Sequence, residues 1–564
     1  MDDTQRRVDA IRKDRSELEN HIIDEYSAGK ITRREFVRRG TVVGMSIPLV
    51  SFLAAACGGG GGGETTGGGT TPTATGAVQA GGNIRVALIQ PATDPNPVIV
   101  KDEGGAGLIG STGEFLSFSN AKLELEPKIA ESWSPNDDGT EWTFKIRQGV
   151  QFHSGKTLTA NDVKTTFETL IDPKNASNAL SALGGVLSPG NIDAPDDATV
   201  VFKLDAPNGN FPTLVSSANY NAIIIPADLD PADWGKTFDG TGPFKLDSFT
   251  PKQGAKFSRF DGYWGTKANP DSMELTFYDD EAPMVLAIQG DEVDFVEHFS
   301  VSGGKALLSD SNVQVISVET ATHREMHMRT DMEPFTDKRV RQAIALSLDR
   351  NAMVEGLWEG RADLGNDSPF APLYPSTDPS VPQREQNIDQ AKQLLADAGK
   401  TSFSVDLSTW NGFEIPDLAQ LVKQYAEQIG VTVNVKIVGD DAAYYGDAVF
   451  GKSIWLDSVM GITDYGHRPV PNVYLSSAFT SKGTWNAAHF KNAQADQLIA
   501  DYIGALDIDS QRAAAKKIQE LLLDETPVVF PYFYNFLSAA KPNLKNAVSA
   551  ATGQFDLSKA GFTS

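Results

Sequence analysis

Cysteine is the scarcest residue in this 564-residue chain, with one copy, Cys57. A single thiol excludes an intramolecular disulfide, a cysteine-built metal cluster and any redox pair. Long apolar runs are missing too. The most apolar stretch near the N-terminus, 41–56, includes Gly44 and Pro48 and falls short of the roughly 20 residues a spanning helix needs. Positive charge is in deficit, with 49 basic against 74 acidic residues and a formal net charge of −25. That balance disfavours nucleic acid and anionic headgroups as partners, because the chain repels them at long range. No repeat of fixed period occurs, and low complexity is confined to the first 82 residues. What is present is ordinary: 40% hydrophobic and 22% charged residues suit a globular protein. The length implies two to four domains or one large multi-lobed unit.

The position of the lone cysteine is informative. Thr32-Arg33-Arg34-Glu35-Phe36-Val37-Arg38 resembles a twin-arginine export signal, and the weak apolar stretch follows it. Leu53-Ala54-Ala55-Ala56-Cys57-Gly58 is similar to a bacterial lipobox, with Ala54 where leucine is commoner. That resemblance implies that the Cys57 sulfur receives a diacylglycerol and becomes the new N-terminus. The protein would then sit exported and lipid-anchored at the outer face of the cytoplasmic membrane. A buried structural cysteine is the alternative, opposed by the run Gly58–Gly63, which cannot pack a core. Residues 58–82 are Gly and Thr rich and read as a flexible tether with a root-mean-square reach of roughly 28 Å.

Beyond the tether the hydrophobic pattern alternates between two periods. Trp142, Phe144 and Ile146 alternate as a strand, a Gln148-Gly149 turn follows, and Val150 and Phe152 resume the alternation, which predicts a β-hairpin. Thr159 and Asp162 form a capping box for a helix whose Val163, Phe167 and Leu170 share one face. Helical stripes ending at Gly399 and Gly430 are each followed by strand spacing, at Phe403–Leu407 and Val431–Ile437. Helix, strand, helix, strand is the grammar of an α/β layer.

Catalytic patterns fail on inspection. Gly149 to Thr157 has five residues between its glycines where a phosphate loop has four. His323 and His327 sit in strand spacing, which separates them by about 13 Å, too far for one metal ion. Ser302-Gly-Gly-Lys305 is a four-residue pattern of the kind chance supplies, and no nucleophile elbow accompanies it. No catalytic residue, metal site or cofactor is called for.

Several ordered motifs remain. They run Leu125-Glu-Pro-Lys-Ile-Ala-Glu-Ser-Trp133, Asp137 to His153, Leu158 to Val163, Gly240-Thr-Gly-Pro-Phe-Lys-Leu246, Tyr263-Trp264-Gly265, Gly290 to Asp294, and Pro334 to Ala343 with Asp349-Arg350. Together they resemble the peptide-binding class of ABC-transporter solute-binding proteins, the bacterial extracellular solute-binding protein family 5 of oligopeptide and dipeptide type, over about residues 82–540. The resemblance implies an α/β fold, a periplasmic-binding-protein type II-like two-lobe clamp with an additional inserted domain. It places lobe I at 83–123, 235–320 and 523–564, the inserted domain at 124–234, and lobe II at 321–522, after a signal peptide over 1–57. It implies a monomer that captures short peptides or other amine-bearing solutes in the interlobe cleft and delivers them to an ABC permease and ATPase complex. Membrane contact is through the lipid alone, with no nucleic acid and no bond made or broken.

The same resemblance implies the site. Thr463-Asp464-Tyr465 matches the family motif whose aspartate meets the ligand's amino terminus, naming Asp464 and Tyr465, and Asn486 matches an asparagine that lines the cleft. His298, Tyr444, Trp410 and Trp455 are further candidate lining residues, each of which reads equally as packing. Two departures stand out. Gly461 occupies the position of a ligand-flanking tryptophan and would widen the pocket, and no arginine occurs between Ala442 and Trp455 for a ligand carboxylate. A metal chelate, an opine or an oligosaccharide is therefore an alternative cargo, and a secreted hydrolase an alternative class.

Overall fold

The computed structural model describes residues 78–563, so the export signal, the lipobox with Cys57 and all but the last residues of the expected tether lie outside the described residues. Among those described, three sheets organise the chain.

The first sheet has seven strands in the spatial order Gln314–Val318, Phe536–Ala540, Phe295–Val296, Asn83–Ile89, Ser272–Tyr278, Gly254–Arg259 and Phe244–Thr250. Its centre is Asn83–Ile89, which pairs in parallel with both neighbours. Ile84, Val86, Ala87 and Leu88 are fully buried there, the run of apolar residues expected of a strand covered on both faces. The second sheet is built on His323–Met328, flanked by Met460–Tyr465 and by Tyr532–Tyr534 and Val528–Val529. Phe403–Trp410 and Val431–Val438 extend it in parallel. The amphipathic helix Ile415–Glu427 joins these last two strands and buries Leu418, Ala419, Val422 and Ala426, with Gly430 taking φ +86° where the chain reverses.

A third, antiparallel sheet orders Ala130–Pro135, Glu141–Ile146, Thr199–Lys203 and Ile192–Asp196. The helix Ala160–Ile171 covers it. The Thr159 backbone N–H donates to Asp162 Oδ2 at 2.8 Å, closing the capping box, and Phe167 meets Phe202 edge-on with ring centroids 5.3 Å apart. The expected hairpin after Glu141–Ile146 is not formed. That strand pairs with 130–135 and 199–203 instead, and the 150–158 segment closes on itself through one bridge, Gln151 to Thr157. Val150 and Phe152 are still buried, so the alternation reported burial correctly while the pairing partner was non-local.

The chain crosses between the two large sheets twice, through 319–322 and through Asn535. The crossings are bonded to each other: the Thr320 hydroxyl donates to Tyr534 O at 2.6 Å and Tyr534 N–H to Thr322 O at 3.0 Å. The segment from 523, assigned wholly to lobe I by the sequence, is thus divided. Val528–Val529 and Tyr532–Tyr534 belong to the second sheet, because pairing with His323–Met328 buries Val528, Val529 and Phe530, and the first sheet receives only Phe536–Ala540.

Candidate ligand-binding cleft

A cavity of about 710 Å³ lies where the two large sheets meet, in the size range of small-molecule sites. The first sheet contributes Glu297 and His298, just beyond the strand Phe295–Val296; the second contributes Arg324 and Tyr534; the segment that follows the third sheet's last strand adds residues such as Tyr220. The crossing residues Thr322 and Asn535 therefore border the cavity.

Charges of both signs are built into its walls. Asp102 caps the helix Glu103–Gly110, its Oδ1 accepting from Gly105 N–H at 2.8 Å. Glu103 Oε2 lies 2.7 Å from His298 Nδ1, and the imidazole stacks on Phe536 with centroids 4.2 Å apart and planes at 15°. Burial works against a charged His298, but the Glu103 carboxylate outweighs it and pushes the imidazole up to about 9. Burial likewise opposes ionisation of Glu103, and His298 reverses it, holding that carboxyl below its usual range. On the opposite wall Arg324 donates from Nη2 to Glu414 Oε2 at 3.0 Å and from Nη1 to the Tyr534 hydroxyl at 2.9 Å. Its guanidinium lies over the rings of Tyr534 and Phe413, 4.7 and 5.1 Å from their centroids. Phe413 leaves 69% of its surface exposed at this wall, uncommon for so large an apolar side chain. Arg468 also lines the cavity and, among the described residues, makes no ion pair.

The sequence-derived candidates divide into two groups. His298 lines the cavity. Asp464, Tyr465, Tyr444, Trp455 and Trp410 are brought together, but as an aromatic cluster outside its lining. Asp464 is half-buried, its Oδ1 accepting from Trp410 Nε1 at 3.2 Å and from the Tyr445 hydroxyl, directly across the ladder from Arg324. Tyr444 is fully buried and donates to Ser408 O at 3.1 Å; Trp455 and Tyr465 are buried beside it. These three are packing residues, since aromatic surface of this size is stabilised by exclusion from water. Asn486 is not at the cleft wall either. Its Nδ2 donates to Thr480 O and Phe490 O, and its Oδ1 accepts from Phe490 N–H, so the side chain braces its own loop.

Gly461 does not widen the cavity. A Cβ there would stand 2.6 Å from His327 Cε1 and 2.7 Å from the Tyr444 hydroxyl, so the space is filled by those two side chains. No arginine occurs between Ala442 and Trp455, but Arg324 and Arg468, outside that stretch, both line the cavity. Glu297, Asp102 and Glu103 were not legible as site residues. Their one sequence signal is position, immediately after strands or at a helix start, where α/β folds gather ligands. Among the described residues no group of three His, Cys, Asp or Glu side chains is placed to hold a metal ion.

Comparison with known proteins agrees with this architecture. The family model described as bacterial extracellular solute-binding proteins, family 5 Middle, matches residues 124–486. The oligopeptide-binding protein AppA of Bacillus subtilis (strain 168) is 26% identical over 498 residues, covering 83% of this chain and 89% of that protein. Heme-binding protein A of Haemophilus influenzae is 24% identical over 469 residues, covering 78% and 84%. Among solved structures, HbpA2 from Haemophilus parasuis has a TM-score of 0.76 at 20% identity, covering 86% of this chain and 100% of that one. AppA from Bacillus subtilis in complex with a nonapeptide has a TM-score of 0.66 at 24% identity, with the same coverage. The shared fold is the type II periplasmic-binding-protein clamp of two lobes with an extra domain. The curated relatives are named as binding proteins, and the family is described as one of solute-binding proteins rather than of enzymes. The chain belongs to the bacterial extracellular solute-binding proteins of family 5.

Proposed function

We propose that this chain is the extracytoplasmic substrate-binding lipoprotein of an ABC importer, capturing short peptides or related amine-bearing solutes between its lobes and handing them to a membrane permease. The observation that carries this reading is the cavity of about 710 Å³ walled by both large sheets, with carboxylates and guanidinium groups at its surface. A zwitterionic ligand needs both signs of charge in one desolvated space, where ion pairs strengthen as water leaves. The names of the relatives point the same way, since they include oligopeptide-binding and dipeptide-binding proteins. Lobe I takes the first sheet, the inserted domain takes 124–234, and lobe II takes the second sheet with its closing strands at 528–534. The protein works as a monomer anchored through a lipid on Cys57, which keeps the loaded clamp near its permease.

Amine recognition by Asp464, the role its motif implies, requires the carboxylate to leave Trp410 and Tyr445 and turn to the cavity that Arg324, its partner across the ladder, already lines. Calorimetry with dipeptides to pentapeptides tests this: Asp464→Ala should weaken peptide binding by about tenfold or more, the contribution of one charge-assisted hydrogen bond. Equal affinities for wild type and variant would remove Asp464 from the site. Tight binding of a metal chelate or an oligosaccharide in place of every peptide would move the cargo to another class.

A further inference from the structure

Among the charged groups of the cleft, Glu297 stands apart. It is fully buried, lines the cavity, and neither carboxylate oxygen has a hydrogen-bond partner. Its backbone is fixed: Glu297 N–H donates to Ala87 O at 3.1 Å, and the Ser538 hydroxyl donates to Glu297 O at 2.5 Å. The side chain is therefore held at the end of the central strands without a partner of its own. Asp102 lines the same cavity, and its Oδ2 is also buried and unpartnered. The other carboxylates of the lining are spoken for. Glu103 holds His298, Glu414 holds Arg324, and Glu281 accepts from the Ser300 N–H and hydroxyl at 3.0 and 2.8 Å.

Resting on the reading of this cavity as the ligand site, we propose that Glu297 and Asp102 form a subsite for one cationic group of the cargo, an ammonium or a guanidinium. Buried carboxylates without partners are costly, and native structures leave few of them. Three unpartnered oxygens on the lining of one ligand-sized cavity, from two carboxyl groups near enough for the Asp102 charge to act on Glu297, match the donors of such a cation, which carries several N–H groups and no acceptor. Lys101 and Arg468, which also line the cavity, are left for a carboxylate elsewhere on the ligand. Burial, and then the neighbouring Glu103 charge, raise the Glu297 carboxyl well above its ordinary value, and a cation brought against it acts in the opposite direction.

The test is charge discrimination in Glu297→Gln, which keeps the shape of the side chain. Calorimetry compares lysine tripeptides with their norleucine analogues, and free with acetylated amino termini. Wild type should prefer the charged member of at least one pair by about tenfold to a hundredfold, and Glu297→Gln should bind both members of that pair alike. Asp102→Asn, which keeps the helix cap, should reduce the same preference. A variant that discriminates as wild type does in both pairs overturns the subsite. Thermal shift with agmatine separates this result from failure of the peptide reading. If no peptide binds but agmatine stabilises wild type and not Glu297→Gln, the subsite stands and the cargo is another cation. If agmatine and peptides both leave wild type unchanged, or if Ni²⁺ stabilises in place of the organic cation, the subsite is wrong.

Discussion

The His298–Glu103 pair makes the cleft's charge state depend on pH. His298 titrates at about 9 against an ordinary value of 6.5, and a folded-state value that is raised stabilises the fold only while the ring is protonated. The contribution is complete below about pH 6.5 and is lost as pH rises through about 9. Glu297 and Glu281 also act on His298 and remain in place when Glu103 alone is changed. Melting temperatures across that window should therefore fall more steeply with pH in wild type than in Glu103→Gln, and equal slopes would contradict the pairing. At this scale the sequence was a partial guide. His298 could be singled out because it follows a strand, but Glu297 beside it could not. What distinguishes Glu297 is a backbone fixed by Ala87 and Ser538 together with a carboxylate that has no partner, a property of non-local packing that no local pattern reports.

Elements were more legible than residues. The helix Ala160–Ile171 is recognisable from its capping box and apolar face, and Ile415–Glu427 from its stripe, because both signals are local. Strand partners were less so: the hairpin expected after Ile146 gives way to pairing with residues more than fifty positions later, and the strands at 528–534 join the second sheet. The strand Met460–Tyr465 shows how such pairing fixes single positions. Gly461 faces His327 and Tyr444 across filled space, so Gly461→Ala should cost about 1–3 kcal/mol through overpacking, read as a lower denaturant midpoint at unchanged slope. A neutral or stabilising alanine would show that the space is open after all.

For the whole molecule, two short crossings join the large sheets, and the cavity lies beside them. Hinge closure of this kind is favoured by whatever contacts both lobes at once, which is how a ligand carrying opposite charges at its two ends can shut the clamp. The anchor is a separate matter. Cys57→Ser should move the protein from the membrane fraction to the medium or periplasm with peptide affinity unchanged, whereas a variant still pelleting with membranes would contradict the lipid. The fold class was readable in advance because its motifs are spread in order along the chain. The cavity was not, since its walls come from segments scattered along the chain from Ile89 to Thr552.

The central claim is that the cleft captures a small amine-bearing ligand and leaves it chemically unchanged. Native mass spectrometry of the protein after incubation with an equimolar mixture of dipeptides to pentapeptides tests it most directly. The account predicts one bound peptide per chain, recovered intact and enriched in members with an added cationic group; cleaved products, or no bound peptide at all, would contradict it.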